Sequence, residues 1–239
     1  MGAKMNSING TLVFDDTTYA QRIYNAFGNG VRKFLMEGPT PADDTTNTPT
    51  GFIATAVGTS PVTVGEVAGY PLLITTGASE YDGDNLQARG ESFKLESGKP
   101  VYFGAAIKLS EATEIDLLVG LCELKTDLLK TSVAHGVLAT NVEGVFFHKV
   151  DAVTTITAKA YLDGAQTFTG NVGTMTTSEI IYEIYWDGTT LKFYLDGILV
   201  TQIASSLPDG DLTPSINVRA GSAAARTASI AWLRSIQLR

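Results

Sequence analysis

The sequence predicts an all-β chain folded as a two-sheet antiparallel sandwich, on three observations. Short runs rich in Val, Ile, Phe, Tyr and Thr recur every ten residues or so, separated by Gly, Asp, Asn and Ser. Several of these runs alternate apolar and polar positions, the period of a strand with one buried face, and helical spacing is scarce. The length of 239 residues, 44% of them hydrophobic and 18% charged, suits a single sandwich, a class that commonly runs to about 200–250 residues as one unit.

Along the chain, Tyr19 to Phe27 reads as a short helix and Val31 to Met36 as a strand. Pro39 to Thr50 follows with three prolines and no large apolar residue. This stretch is a surface loop within one domain or the tether of an N-terminal arm. Residues 1–50 are accordingly set apart as an N-terminal arm with its Pro/Thr-rich linker, and residues 51–239 as the sandwich. Strands are expected over Tyr70 to Thr76 and over Val101 to Leu109, where Val101, Phe103, Ala105, Ile107 and Leu109 share the core face. Asp116 to Lys130 has passable helical spacing, but Val119-Gly120 breaks it. The expectation is a strand from Ile115 to Leu121, then a loop holding Lys125-Thr126-Asp127.

Val142 to Val150 and Thr154 to Leu162 continue the pattern. Ile180 to Trp186, Leu191 to Leu195 and Ile198 to Ile203 then form a meander, punctuated by Asp187-Gly188 and Asp196-Gly197, pairs suited to tight hairpin turns. Ser215 to Ala220 and Thr227 to Leu238 close the series.

Charge and composition exclude several function classes. With 17 Lys+Arg against 25 Asp+Glu the net charge is -8. Arg219, Arg226, Arg234 and Arg239 are spread too thinly to neutralise a nucleic-acid backbone, so no nucleic acid is expected as partner. One cysteine, Cys122, excludes an intrachain disulfide and any multi-cysteine metal site, and the two histidines exclude a His-rich centre. No window reaches the ~18 apolar residues of a membrane helix, and no apolar stretch follows Met1 to Asn6, so neither a membrane partner nor an export signal is expected.

The segment Glu183-Ile184-Tyr185-Trp186-Asp187-Gly188, continuing through Leu191-Lys192-Phe193-Tyr194-Leu195-Asp196-Gly197 to Val200, resembles the paired-strand signature of concanavalin A-like, laminin-G-like jelly rolls. The wider order is Val119-Gly120-Leu121, Thr126 to Leu129, Gly144 to Asp151, Leu207-Pro208, Leu212-Thr213-Pro214 and a closing strand from Ala223 to Trp232. It resembles structural proteins of tailed bacteriophages that decorate the capsid exterior, over about Gly69 to Arg239. Ala152 stands where that pattern would place a glycine after Asp151.

The resemblance implies a non-enzymatic virion protein, made in the bacterial host cytoplasm, that binds the phage major capsid protein and reinforces the shell, with a homotrimer as its expected assembly. The arm outside the resemblance holds the capsid-contact candidates Ile23, Tyr24, Phe27, Phe34 and Leu35. The rival reading is a carbohydrate-binding, lectin-like module, on a virion or free, with Tyr102, Tyr161, Tyr185 and Tyr194 as candidates to line the sugar face and glycans as partners.

Glu114-Ile115-Asp116-Leu117-Leu118 approaches the Glu-x-Asp-x-x-Glu strand of laminarinase-like glycoside hydrolases. Those enzymes need two carboxyl groups about 5–5.5 Å apart. Leu118 and Val119 stand where the second acid would be, and Glu123 lies too far along, so no catalytic residue is assigned. Asp82-Gly83-Asp84-Asn85 and Asp209-Gly210-Asp211 offer hard oxygen ligands, but their composition is that of turns, and neither a metal nor a cofactor is assigned. His135 and His148 read as hydrogen-bonded structural residues, Cys122 as a buried inert thiol, and Trp186 and Trp232 as core aromatics.

Overall fold

The computed structural model describes residues 48–60, 62–67, 69–129 and 134–238 and, before these, the backbone of four strands. Those four are β1 (Lys4–Ile8), β2 (Thr11–Asp15), β3 (Ile23–Tyr24) and β4 (Val31–Glu37). There follow β5 (Phe52–Val57), β6 (Val62–Val67), β7 (Tyr70–Thr75), β8 (Gly83–Ala88), β9 (Val101–Leu109), β10 (Ile115–Cys122) and β11 (Gly144–Lys149). The last seven are β12 (Thr155–Leu162), β13 (Ala165–Thr174), β14 (Ile180–Trp186), β15 (Leu191–Leu195), β16 (Ile198–Ile203), β17 (Thr213–Ala220) and β18 (Thr227–Leu238).

Two antiparallel sheets form the body. One has seven strands in the order β13-β12-β11-β10-β17-β8-β5, and the other runs β16-β15-β14-β9-β18-β7-β6 with β4 also on β18. β1, β2 and β3 make a separate three-stranded sheet. The core lies between the two large sheets, because alternation turns Leu117, Val119 and Leu121 of β10 and Val145 and Phe147 of β11 inward onto Phe103, Tyr182, Ile184 and Phe193. Phe147 meets the rings of Tyr182 and Phe193 edge-on, each at 5.3 Å. Burying a side chain of this size contributes about 1.5–3 kcal/mol, and no disulfide is needed.

β18 organises the eight-stranded sheet. One side pairs with β9 along most of its length, and the other is shared, β7 taking Thr227 to Ile230 and β4 taking Trp232 to Leu238. The register shifts between Ile230 and Trp232, so Ala231 is a bulge that lets one long strand serve two shorter partners.

The turns follow their residues. Asp196 and Gly197 both take positive φ, 48° and 81°, as a tight hairpin requires. At Asp187-Gly188 only the glycine does so, and the loop extends to Thr190, held by the Asp187 carboxylate accepting the backbone N–H groups of Thr189 and Thr190. Ala152 has φ 62°, so the turn after Asp151 imposes on alanine a conformation that glycine adopts more easily.

Several expectations are corrected. Ile23–Tyr24 is extended and pairs with β2, where a helix was expected over Tyr19 to Phe27; the rest of that span lies outside the described residues. Asp84 and Asn85, read as turn residues, lie within β8, which is buried along its whole length between β17 and β5. Neighbours on both sides override its weak strand propensity. Gly83 is required there, because a Cβ would stand 2.0 Å from the carbonyl oxygen of Val218.

Candidate functional site

Two outward faces were open to function, one per large sheet. On the seven-stranded sheet, cross-strand register places Asn85, Asn217, Leu118, His148 and Thr157 in one row, with Gln87, Ser215, Gly120, Phe146 and Lys159 in the next. Residues 123–129 and 134–143 cover much of this face. Their Leu128, Leu129, Ala139 and Val142 form a second apolar cluster with Leu118, Cys122 and Phe146 of the sheet. Glu123 and Glu143 close the base of this cover, the backbone N–H of Glu123 donating to the Glu143 carbonyl at 2.9 Å. Gln87 and Asn85 fasten it from below by donating to the Glu123 and Lys125 carbonyls.

The far end of the cover is pinned by His135. Its Nδ1 lies 2.8 Å from Asp116 Oδ2, its Nε2 3.1 Å from Glu80 Oε1, and its ring stacks on Tyr81 at 4.5 Å. Burial works against the imidazolium, but the hydrogen bonds to Asp116 and Glu80 and the nearby charges of Asp116 and Asp151 outweigh it and raise the pKa above the usual value. The carboxylate of Asp116 also accepts the Asp151 backbone N–H at 2.6 Å. The Glu-x-Asp motif is thus divided. Glu114 precedes β10 and pairs with Arg226, Asp116 is occupied by a histidine and a backbone amide, and Leu118 packs beneath the cover. The strand offers no second acid beside Asp116.

Of the two histidines, His135 is hydrogen-bonded as expected and His148 is not. His148 is 1% exposed and, among the described residues, neither ring nitrogen has a partner. Burial holds its pKa down to about 3, so it is neutral. Both amide atoms of Asn217 in the same row are likewise unpartnered. Cys122 is buried as expected, and desolvation pushes its thiol far above the ordinary value. Arg219 is buried beside Asp116, its pKa lowered to about 10 by desolvation.

The eight-stranded sheet presents a different outer face. Tyr102 of β9 faces Tyr185 of β14 in register, and Glu183 of β14 faces Tyr194 of β15. Three of the four tyrosines singled out in the sequence therefore share one face, each half-buried. Tyr161 is on the other sheet, stacked on Phe146 at 5.7 Å. Tyr102 donates its hydroxyl hydrogen to Glu183 Oε1 at 2.9 Å. It reaches across Gly104, where a Cβ would lie 2.4 Å from the Tyr102 hydroxyl and 3.0 Å from the Trp232 ring.

Trp232 is half-exposed on this face rather than in the core, and carries the Arg234 guanidinium 4.5 Å from its ring centroid. Trp186, by contrast, is buried and donates to the Glu96 carbonyl. On the far side, Lys192 bonds Asp187 and lies over Tyr185. The result is an aromatic platform with charged groups at both ends, and Glu183, 1% exposed, beneath its centre. Sequence alternation identified the tyrosines; Trp232 was missed because the bulge at Ala231 turns it outward.

Of the metal candidates, Asp84 points toward the core and Asp82 packs against Gly58 and Gly77. Asp209 comes together instead with Glu143 and Asp163, carboxylate oxygens lying within 4.8 Å of one another. Glu143 Oε1 already accepts the backbone N–H groups of Asp209 and Gly210, and nothing else there points to a cation. Of the capsid-contact candidates, Ile23 and Tyr24 are in β3, Phe34 and Leu35 lie opposite Ser235 and Arg234 in β4, and Phe27 is outside the described residues. Among the described residues no helix is long and apolar enough to cross a membrane.

No family model and no curated protein matches the chain. Solved structures do. The carbohydrate recognition domain of Emp47p is 10% identical with a TM-score of 0.60, the match covering 88% of this chain and 98% of that domain. An endo-1,3-β-glucanase from Streptomyces sioyaensis is 11% identical with a TM-score of 0.57, covering 90% and 99%. The fold is a concanavalin A-like jelly roll. A protein of unknown function from Shewanella oneidensis MR-1 is 9% identical with a TM-score of 0.57, covering 93% of each chain. At such identities the likeness is one of fold, which lectins and glucanases share.

Proposed function

We propose that this jelly roll is a non-catalytic, carbohydrate-binding module that takes glycans on the outer face of the eight-stranded sheet. The observation that carries the reading is the convergence of Tyr102, Tyr185, Tyr194 and Trp232 on one sheet face around Glu183. Aromatic rings supply flat apolar surfaces for the C–H faces of a sugar. Lys192 and Arg234, at the two ends of the platform, supply donors for its hydroxyls, while Glu183 beneath it holds the Tyr102 ring in place. The kinship in fold with the Emp47p carbohydrate recognition domain supports the reading. The absence of a catalytic role is inferred from β10, where Asp116 is hydrogen-bonded to His135 and Leu118 replaces a second acid.

The test is calorimetric titration with soluble oligosaccharides of varied linkage, β-1,3-glucan included, together with an assay for released reducing ends. Binding without hydrolysis is expected. Reducing ends released by the wild type and lost in Glu114→Gln would overturn the non-catalytic reading.

A virion setting is a second proposal, carried by the resemblance of Gly69 to Arg239 to capsid-decorating proteins. There the module would sit on the major capsid protein, as a homotrimer, with the arm contributing to attachment. Imaging of undecorated capsids mixed with the protein tests it; capsids that remain bare at saturating protein would exclude it.

A further inference from the structure

The ring of His135 lies between groups that only accept. Nδ1 is 2.8 Å from Asp116 Oδ2 on β10, and Nε2 is 3.1 Å from Glu80 Oε1 ahead of β8 and 3.9 Å from Asp151 Oδ2 beyond β11. An ionised carboxylate has no proton to give, and a neutral imidazole carries one N–H. The two short contacts are therefore hydrogen bonds together only in the imidazolium. Once a proton leaves, one ring nitrogen turns a lone pair toward a carboxylate. Asp116 is buried and Glu80 half-exposed, so the outer bond is the one that gives way. Also about the ring are Tyr81, stacked on it, and two buried cations near Asp116, Lys149 of β11 and Arg219 of β17. Lys149 donates to the carbonyls of Thr113 and Ile115.

We propose that residues 134–143 are a proton-latched cover, closed while the His135 imidazolium bridges Asp116 and Glu80 and released when it loses a proton, baring the polar row of the seven-stranded sheet. The two ends of the segment are held differently. At its base Lys125 donates to the Thr140 and Asn141 carbonyls, and Glu123 accepts the Glu143 N–H, so that end serves as the hinge. His135 fastens the other end. Between them Ala139 and Val142 pack with Leu118, Cys122 and Phe146. The row that holds Leu118 also holds His148 and Asn217, buried without partners among the described residues. Such groups gain hydrogen bonds from water when the face is uncovered, which works against the closed form and leaves the latch to decide. The sign is fixed by the ring. Burial disfavours the imidazolium, but the bonds to Asp116 and Glu80 and the charges of Asp116 and Asp151 raise its pKa above the usual 6.5. The closed form holds the proton more tightly than the open one, so its advantage is full below about pH 6.5 and is lost as pH rises through the raised value.

Hydrogen–deuterium exchange of the full chain at about pH 6 and about pH 8.5, each rate divided by the intrinsic rate at that pH, tests the inference. The Ala139 N–H, which donates to the Leu128 carbonyl at 3.0 Å, reports closure, and β14 reports that the body stays folded. Protection over 134–143 in the wild type should fall at least about threefold from the lower pH to the higher while β14 stays protected. Glu80→Gln offers Nε2 an amide donor, so the neutral ring stays bonded on both sides and protection should stay high at both pH values. The position is half-exposed, and the variant should fold. His135→Ala has no latch, and its protection should be low at both. Wild-type protection that is equal at the two pH values, or a Glu80→Gln variant that loses protection with pH as the wild type does, would overturn the proposal. So would a His135→Ala variant as protected at the lower pH as the wild type.

Discussion

Tyr102 and Glu183 are joined across the β9–β14 pair by a 2.9 Å hydrogen bond on the outer face of the eight-stranded sheet. The bond has a structural precondition in Gly104, the residue facing Glu183 in register, which leaves room for the Tyr102 ring to lie along the sheet. A buried carboxylate thus holds one ring of the aromatic platform in place.

Gly104→Ala follows from this geometry. The added methyl would lie 2.4 Å from the Tyr102 hydroxyl, so the ring must leave and Glu183 loses that donor. Overpacking of this kind costs about 1–3 kcal/mol, and glycan affinity should fall with it. Thermal unfolding and titration of the same variant check both effects. A variant with unchanged stability and affinity would show that the platform does not depend on this seat.

Asp84 makes stability depend on pH. Desolvation raises its pKa from 3.8 to about 7, against a lowering hydrogen bond from the Thr55 backbone. A carboxyl raised in the folded state contributes stability that is full below about pH 4 and is lost as pH rises through 7, on the order of 4 kcal/mol in all. His148 slopes the other way: its pKa is depressed to about 3, so its contribution is full above about pH 6.5 and is lost as pH falls toward 3. Asp84→Asn should therefore stabilise the protein at pH 8 and change little at pH 4. Denaturant unfolding at the two pH values measures this, and equal shifts at both would contradict it.

His148→Leu should stabilise. The imidazole is buried beside Leu118 and Phe146, and neither nitrogen has a partner among the described residues. A buried unpaired polar group costs about 1–3 kcal/mol, which an apolar replacement recovers. Loss of stability in that variant would show that the ring is hydrogen-bonded in solution.

Removing residues 1–47 deletes β4 and bares β18 from Trp232 to Leu238. Exposed strand edges promote pairing between chains. The truncated chain should unfold at a lower temperature and associate in light scattering. An unchanged melting temperature and a clean monomer would show that β4 contributes nothing to the sheet.

Much of the fold was legible because alternation encodes a half-buried strand. β14, β15, β16 and β18 have the bounds that the sequence suggests. β8 was illegible because Gly-Asp-Asn has turn chemistry, and only neighbours on both sides make it a strand. β13 was missed because an exposed edge strand in which only Phe168 and Val172 stand among Ala, Gln, Thr, Gly and Asn shows too little apolar alternation. In the site, alternation could place tyrosines on a strand face but could not say which strands are adjacent, so Tyr161 was grouped with residues on the other sheet. Nothing local signals that Leu128 and Leu129 fold back over β10.

The central claim is that the aromatic face of the eight-stranded sheet binds glycans. The most direct measurement is isothermal titration of the wild type and of Tyr102→Ala and Tyr185→Ala with the tightest-binding oligosaccharide from a linkage panel, each variant first shown to be folded. Saturable binding by the wild type, weakened at least tenfold in both variants, which is about 1.4 kcal/mol or more, is the predicted result. No binding across the panel, or affinities that both variants leave unchanged, would contradict it.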